Sequence, residues 1–146
     1  MKKQAARLEA VMVVASGVVK VTYTDGRVIS VVMNDVISRY AAFAPLTDPA
    51  EFAAVAVADW GWSLEWRCGA TLDADRVFEL SLEQAGMIEN VEFRRWQDKN
   101  GLSLSAAAEA IGLTRRTVSQ FRTGARPVSR TVALACKGWE AMKQAA

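Results

Sequence analysis

The sequence of 146 residues contains no histidine, three prolines and only two cysteines. The absence of imidazole excludes Ser-His-Asp triads, histidine proton shuttles and histidine-ligated metal sites. Cys68 and Cys136 lie far apart and form no C-x-x-C pair, so we expect no zinc site and no disulfide, and we interpret both as small buried apolar residues. The chain also lacks a nucleophile-base pairing and a glycine-rich phosphate loop. We therefore expect no enzyme, no metal and no cofactor.

No apolar run approaches the roughly 18 residues that a membrane span requires. We therefore expect no membrane contact, and the lack of a disulfide framework favours a reducing, cytoplasmic setting. Hydrophobic residues make up 51% of the sequence. That fraction is enough to bury a core in one ordinary domain or in two small ones.

Acidic side chains are scarce in the second half of the chain, although a net charge of +2 conceals this. Residues 1–84 hold 8 basic and 11 acidic residues, a balance of −3, whereas residues 85–146 hold 10 and 5, a balance of +5. We therefore predict two domains, 1–84 and 85–146. The basic domain is the place to look for an anionic partner.

The first half predicts a small antiparallel sheet. β-Branched residues are dense over residues 11–33, and the turn signals Ser16-Gly17 and Asp25-Gly26 divide this stretch into three strands. In the middle strand apolar and polar residues alternate, which predicts a buried face made of Val19, Val21 and Tyr23. A helical apolar spacing over residues 35–44 is expected to cover that face.

The rest of the first half completes an α+β unit. Pro45 is expected to end the helix, and the stretches 52–60 and 63–67 are typical of two further strands around Gly61. Asp73 is predicted to cap a helix whose apolar face consists of Val77, Phe78, Leu80 and Leu82. The predicted fold class is a small antiparallel sheet with about two helices.

The order of particular residues in this half resembles a bacterial domain-of-unknown-function family numbered twenty-four forty-two. The resemblance covers roughly residues 10–84 and depends on Asp25-Gly26, Asp35, Leu46, Phe52, Val55, Val57, Trp66 and the stretch from Leu72 to Phe78. It implies a fold more than a mechanism, because the chemistry of that family is uncharacterised. Members are often encoded beside a small toxin-like protein, so the resemblance also implies a protein partner for this half.

Two clusters in the first half have a functional interpretation and a structural one. The first cluster consists of three tryptophans, Trp60, Trp62 and Trp66. Its functional interpretation is a stacking platform for a base or a sugar. Core packing is favoured, because large aromatics usually fill the interior of a small sheet. A cation site is one reading of three acidic residues, Asp73, Asp75 and Glu79. On a first helical turn their charge already complements the helix dipole, so we expect no metal there.

The second half predicts helices throughout. Phe93 and Trp96 share one face of a first helix, whose charged residues are expected to point away: Arg94, Arg95, Asp98 and Lys99. Asn100-Gly101 is predicted to end this helix. Ser103 or Ser105 then caps an alanine-rich second helix that Gly112 ends. Its small side chains permit the close crossing of another helix that a helix-turn-helix requires.

A third helix is predicted over residues 115–123, capped by Thr114 and ended by Gly124. One face is expected to pack inward and consists of Thr114, Val118, Phe121 and Ala125. The opposite face contains no apolar residue and consists of Arg116, Ser119, Gln120 and Thr123. Such a face suits the major groove, where Arg binds guanine O6 and N7 and Gln binds adenine N6 and N7.

The charge around the third helix has one sign. No acidic residue occurs between Glu109 and Glu140, whereas six basic residues do: Arg115, Arg116, Arg122, Arg126, Arg130 and Lys137. Concentrated positive charge favours a phosphate backbone as partner. The alternative is a solvated or protein-docking face, but a solvated face normally mixes both signs.

Residues 93–135, with the run L-S-L-S-A-A-A-E-A-I-G-L-T-R-R-T-V-S-Q-F-R-T-G-A-R-P, resemble the λ-repressor-like, Cro/C1-type (XRE-like) helix-turn-helix family. The resemblance implies an all-α domain that binds double-stranded DNA and regulates transcription. It places base reading on Arg115, Arg116, Ser119 and Gln120. It places phosphate contacts on Thr114, Arg122, Thr123, Arg126 and Arg130.

Two residues depart from the pattern of that family. Leu104 stands where many members have a Gln that binds phosphate, so one backbone contact is missing. Arg122 stands where many members have a Glu that pairs with a first-helix Arg such as Arg95. We expect Arg122 to reach DNA instead. The two changes leave the affinity and the register on DNA open.

A last helix repeats four apolar residues, Val132, Cys136, Trp139 and Met142, at spacings of four and three. They are expected to close the helical core and to leave Trp139 or Met142 available to a second copy. One recognition helix reads only a few base pairs, so a homodimer on two half-sites is predicted. The sequence thus predicts a sequence-specific transcriptional regulator. The alternative is an antitoxin-like interaction module whose first half binds a small protein, with DNA contact secondary.

Overall fold

A computed structural model describes residues 6–145, and the chain divides into two compact units, Met1–Gln84 and Ala85–Ala146. The first five residues and the last residue of the two predicted domains lie outside the described residues. The first unit contains two small antiparallel sheets with helices, and the described part of the second unit contains only helices. The predicted fold class is therefore confirmed.

The first sheet is formed by β1 (Leu8–Ala15), β2 (Val18–Tyr23) and β3 (Val28–Val32) in sequence order, antiparallel throughout. Glycines at the two predicted turns have positive φ angles, +71° at Gly17 and +93° at Gly26. The predicted inward face of β2 is fully buried: Val19, Val21 and Tyr23. Turn chemistry and strand alternation were thus sufficient to place this sheet.

The segment after the first sheet is more helical than predicted. It forms α1 (Asn34–Arg39), a 3₁₀ helix (Ala41–Thr47) and α2 (Pro49–Ala53), so Pro45 lies inside a 3₁₀ helix and does not end the segment. Phe52 belongs to α2 and not to a strand, because the Asp48 side chain accepts a hydrogen bond from Ala50 N at 3.0 Å and starts a helix there.

The second sheet is formed by β4 (Val55–Ala58), β5 (Ser63–Trp66) and β6 (Thr71–Asp73), and α3 (Ala74–Gln84) follows directly. Asp73 therefore ends a strand that the sequence pattern missed. The predicted apolar face of α3 is buried, and Phe78 packs edge-on against Tyr23 with ring centroids 6.1 Å apart. Tyr23 also donates a hydrogen bond to Ala74 O at 2.9 Å, so α3 covers the first sheet.

The three tryptophans of this unit have different environments. Trp66 is buried between Phe43 and Phe52, as core packing predicts. Trp60 is 87% exposed and Trp62 is 40% exposed, so the core prediction is wrong for both residues. Trp60 lies in a short 3₁₀ turn and has a φ of +58°.

The second unit contains α4 (Ile88–Lys99), α5 (Leu104–Ile111), α6 (Arg115–Thr123) and α7 (Arg130–Ala145). All four helices contribute to one core, which contains Phe93, Trp96, Ala107, Ala108, Val118, Phe121, Val128 and Cys136. Trp139 packs against this core, with its ring 5.6 Å from that of Trp96. Met142 is 75% exposed and does not close the core.

The two cysteines differ in environment. Cys136 is buried, as predicted, and burial together with the charge of Glu140 raises the pKa of its thiol to about 12. Cys68 is exposed, so the prediction is wrong for Cys68. Among residues 6–145, no helix combines the length and the apolarity that crossing a lipid bilayer demands.

Candidate nucleic-acid interface

The turn between α5 and α6 is built from local capping interactions. Gly112 ends α5 with a φ of +74°, and the Thr114 hydroxyl accepts a hydrogen bond from Thr117 N at 3.1 Å. At the start of α5 the Ser103 hydroxyl accepts a hydrogen bond from Ala106 N at 3.0 Å. The predicted caps at Ser103 and Thr114 are therefore present, and they set where each helix begins.

Small side chains let α5 and α6 pack closely. Ala107 and Ala108 of α5 are buried in the same core as Val118 and Phe121 of α6. The inward face of α6 was thus predicted correctly at Val118 and Phe121, whereas Thr114 and Ala125, beyond its two ends, are exposed. Leu104 packs partly against this core, so an apolar residue suits this position.

The opposite face of α6 is accessible. Arg115, Arg116 and Thr123 are exposed, and Ser119 and Gln120 are partly buried. Gln120 Oε1 has no hydrogen-bond partner among the described residues although it is shielded from water. A buried, unpaired acceptor is unfavourable, so a side-chain rotation toward a donor would stabilise Gln120.

Two arginines extend this surface beyond α6. Arg126 follows the helix and Arg130 begins α7, and both are exposed. Within residues 6–145 no ion pair involves Arg115, Arg116, Arg126 or Arg130. The positive charge of this surface is therefore not neutralised by the helical unit itself. We call these four residues together with Ser119, Gln120 and Thr123 the α6 surface.

The predicted phosphate contact by Arg122 is wrong. Its side chain is buried, and Arg122 Nη1 donates hydrogen bonds to Gln97 Oε1 at 3.0 Å and to Asp98 Oδ1 at 3.1 Å. Asp98 is on α4, so this ion pair joins α4 to the end of α6. The guanidinium is directed inward because two acceptors on α4 face it across the helix contact.

Two threonines assigned to phosphate contact already use their hydroxyl groups within the unit. Thr114 Oγ1 donates to Thr117 Oγ1 at 3.0 Å, and Thr123 Oγ1 donates to Gln120 O at 3.3 Å. Both side chains are exposed, so their role toward a phosphate stays a prediction. Their established role in this structure is to cap and to end α6.

Sequence reasoning missed the polar residues that hold α6 in place. Asn90 is 1% exposed; its Nδ2 donates to Phe121 O and to Arg126 O, both at 2.9 Å, and its Oδ1 accepts from Val128 N at 3.0 Å. Arg94, predicted to point away, is buried and donates to Arg122 O at 2.7 Å. These bonds satisfy backbone groups at the end of α6 and in the following loop.

A signal for this network was present in the sequence. Asn90, Arg94 and Gln97 recur at spacings of four and three, so they share one face of α4. All three are buried beside Phe93, which lies on the core side of the same helix. Polar residues on the inward side of an amphipathic helix indicate that they have hydrogen-bond partners in the interior. Only the folded structure identifies those partners.

The described residues contain no cluster that suits a metal ion. Among residues 6–145, no three His, Cys, Asp or Glu side chains lie close enough to share one. In the acidic set on α3, Glu79 forms an ion pair with Arg76 at 3.4 Å. Glu83 also binds Arg76, at 2.9 Å. The acidity of this helix is thus partly neutralised by its own arginine.

Comparison with known proteins identifies relatives of both units. The family described as "Protein of unknown function (DUF2442)" matches residues 10–82. A crystal structure from Nitrosomonas europaea ATCC 19718, named "Putative DNA Binding Protein NE0471", is 38% identical in sequence and superimposes with a TM-score of 0.68. The alignment covers 94% of this chain and 88% of that chain. No curated protein matches the chain.

Proposed function

The chain belongs to the DUF2442 family, whose function is unknown, and on this premise we propose that its helical unit binds double-stranded DNA in a sequence-specific manner. In this proposal α5 and α6 act as a helix-turn-helix, with α6 in the major groove. The protein is a transcriptional regulator that carries out no reaction and requires no cofactor. The family match ends at residue 82, before the helical unit begins.

The observation that carries the proposal is the α6 surface. Its four arginines form no ion pair among residues 6–145, and α6 contains no acidic residue. Arg116 is suited to guanine, and Gln120 to adenine, once each side chain extends into the groove. Arg126 and Arg130 are suited to the flanking phosphates, which position the helix.

The second supporting observation is the rigid attachment of α6. Base reading requires that a helix keep its position to within a fraction of an ångström. The bonds from Asn90, Arg94 and Arg122 join the end of α6 to α4 through buried polar contacts. The name of the Nitrosomonas europaea relative, which matches nearly the whole chain, is consistent with DNA binding by this chain as well.

We test this proposal by selecting bound fragments from a pool of random duplexes with the full-length protein. We expect enrichment of one short motif, repeated at a spacing of about one helical turn, or 34 Å, if two copies bind together. For the selected duplex, log affinity should fall linearly with log salt concentration, because bound arginines release counterions.

The matched control is Arg39→Ala. Arg39 is an exposed arginine of the first unit, paired with Asp35 at 2.7 Å, so its removal changes net charge as much as Arg116→Ala does. The control should retain the affinity of the wild type, whereas Arg116→Ala should not. Affinity that is independent of salt, or no enriched motif, would refute the proposal.

A second candidate function follows from the first unit. Large apolar side chains on the outward side of the first sheet are exposed: Met12, Val14, Val28 and Val32. An exposed apolar face on a small sheet is typical of a protein interface. We infer that this unit serves as an interaction module for a small protein partner, as in antitoxins, with DNA contact secondary.

Co-purification from the native host tests this second candidate. A stoichiometric partner that is retained by the wild type and lost from Met12→Lys would favour it. The control is Lys20→Met, because Lys20 lies opposite Met12 in the same sheet and the change adds apolar surface. Tight duplex binding without any stoichiometric partner would leave the regulator as the function.

A further inference from the structure

The third strand, β3, forms an open edge of the first sheet. Among the described residues it pairs with β2 alone, and that pairing is regular from Val28 to Val32. β3 contains no charged residue and no proline, and Val28 and Val32 are 51% and 45% exposed. Sheets usually protect an edge with lysine, proline or a bulge. The edge of β3 therefore keeps a row of backbone groups with which a further strand can pair.

The hydrogen bonds at the two ends of β3 show which of its backbone groups face outward. Arg27 O accepts a hydrogen bond from Tyr23 N at 2.8 Å, and Met33 N donates to Gly17 O at 2.6 Å. In an antiparallel pair, residues that bond to the partner strand alternate with residues whose N–H and C=O point away from it. The outward-facing residues of β3 are therefore Val28, Ser30 and Val32.

An amide group already occupies one position on this edge. Gln84, the last residue of α3, donates from Nε2 to Val32 O at 2.8 Å, and its Oε1 accepts from Val32 N at 2.9 Å. A carboxamide carries the same donor and acceptor as a peptide group, so it makes at Val32 the two-point contact of a neighbouring strand. Among residues 6–145, no hydrogen bond reaches the outward groups of Val28 and Ser30.

We propose that the outer edge of β3 binds an extended peptide segment of a partner protein as an added strand. The backbone of the segment pairs with Val28 and Ser30, and at Val32 its peptide group replaces the Gln84 amide. An extended backbone is the ligand that matches outward donors and acceptors on every second residue. This inference rests on the second candidate function, the interaction module, and names the edge that binds and the conformation of the bound segment.

The side chains of β3 indicate which peptides fit. The strand offers no charge for an ionic contact, and its exposed side chains at Val28 and Val32 are β-branched and apolar. Cross-strand pairs of β-branched and aromatic residues stabilise a sheet, whereas an isolated charge gains nothing there. The bound segment should therefore carry β-branched or aromatic residues at every second position and few charges between them.

Gln84 competes with the peptide for Val32. A peptide that pairs along the whole edge must displace the carboxamide, and the exchange replaces two hydrogen bonds by two others. Gln84→Ala removes the competitor and leaves the groups of Val32 open. It should raise the affinity for the peptide about fivefold, which corresponds to one ordinary hydrogen bond.

The probe is a library of random decapeptides displayed on phage, selected on the immobilised full-length protein. We expect enrichment of peptides with β-branched or aromatic residues at alternate positions. The most enriched sequence is then synthesised with a fluorescent label, and its dissociation constant is measured by anisotropy for the wild type and for each variant. Gln84→Ala should bind it more tightly than the wild type.

Ser30→Pro blocks the edge without breaking the sheet. The N–H of Ser30 faces outward, so proline removes a donor of the edge and no donor of the ladder with β2. It should weaken peptide binding at least about tenfold, because the proline ring also keeps a strand from approaching. Ser30→Ala is the matched control, since it keeps the N–H and should bind as the wild type does. Circular dichroism checks that both variants are folded.

N-methylation of the peptide tests the pairing without any change in the protein. In an added strand every second N–H of the peptide points toward β3, and the others point away. Methylation of the first set should weaken binding about tenfold or more, and methylation of the second set by less than about twofold. A peptide that is held by its side chains alone would show no such period of two.

The inference is wrong if no peptide is enriched, if Ser30→Pro binds the peptide as tightly as Ser30→Ala, or if the N-methyl series lacks a period of two. A homodimer that Ser30→Pro dissociates would also overturn it, because a second copy would then cover the edge. A host partner that is lost from Met12→Lys but retained by Ser30→Pro would reject the edge and keep the interaction module. Peptide binding at the edge without any stoichiometric host partner would reject the interaction module alone.

Discussion

Arg116 and Arg122 are six positions apart in the same helix, and their surroundings give them opposite roles. Arg116 is exposed on the α6 surface, whereas Arg122 is buried against Gln97 and Asp98 of α4. The ion pair between Arg122 and Asp98 keeps opposite charges across the contact between α4 and α6. Residue type alone could not separate these roles, because both arginines satisfy the same basic pattern.

At the residue scale we first predict the effect of Arg116→Ala on DNA binding. It should cost about 1–3 kcal/mol of affinity for the selected duplex and relax the preference at one base pair. Arg130→Ala should instead weaken binding to all duplexes similarly and reduce the salt slope by about one. Fluorescence anisotropy across a salt series measures both quantities. Equal loss of base preference in the two variants would contradict the assignment.

The second residue-scale prediction concerns folding. Arg122→Ala should lower the free energy of unfolding by about 1–3 kcal/mol, because it removes two charge-assisted bonds and leaves Gln97 with an unpaired acceptor. Arg116→Ala should change it by less than about 0.5 kcal/mol, since that exposed side chain forms no ion pair with any described residue. Urea unfolding followed by circular dichroism measures the difference. Equal free energies of unfolding for the two variants would show that the ion pair between Arg122 and Asp98 does not stabilise the fold.

At the element scale, α4 organises the helical unit through polar contacts with other segments. Asn90 binds the loop after α6, and the end of α4 is joined to α7 by Glu140. The Glu140 carboxylate accepts a hydrogen bond from Asn100 Nδ2 at 2.9 Å and pairs with Lys99 at 3.3 Å. These two contacts hold the pKa of Glu140 below its ordinary value.

This shift predicts a pH dependence. A lowered folded-state pKa means that Glu140 contributes stability above its unfolded pKa, and that the contribution disappears as the pH falls through the folded pKa. When the pH falls from neutral to about 3, the free energy of unfolding should therefore decrease less for Glu140→Gln than for the wild type. Urea unfolding at a series of pH values measures the two curves. Parallel curves would rule out a role for this carboxylate.

On the scale of the whole molecule, the two units carry opposite net charges. The first half has a balance of −3 and the second a balance of +5. In the first unit α3 covers the first sheet, and the second unit has a helical core of its own. Each unit therefore has the core that independent folding requires.

The whole-molecule prediction follows from this division. A fragment of residues 85–146 should fold and bind the selected duplex, whereas residues 1–84 should not bind it. The log affinity of the fragment should fall with log salt concentration as steeply as that of one full-length protomer. Anisotropy titrations measure binding, and circular dichroism confirms that each fragment is folded. Duplex binding by the fragment of residues 1–84 would contradict the assignment of the DNA contact to the helical unit.

The sequence by itself determined the features that depend on near neighbours in the chain. The turns at Gly17 and Gly26, the cap at Thr114 and the apolar faces of α3 and α6 follow from local backbone and side-chain preferences. The resemblance to the DUF2442 family likewise came from residue order alone.

Tertiary structure decided the features that depend on distant partners. Arg94 and Arg122 are buried because acceptors from another helix face them, and Asn90 meets groups more than thirty positions away. Trp66 is buried because it packs against Phe43 and Phe52, whereas Trp60 is exposed. A polar or aromatic side chain is stable inside or outside according to the partners it finds, and only the folded chain brings those partners together.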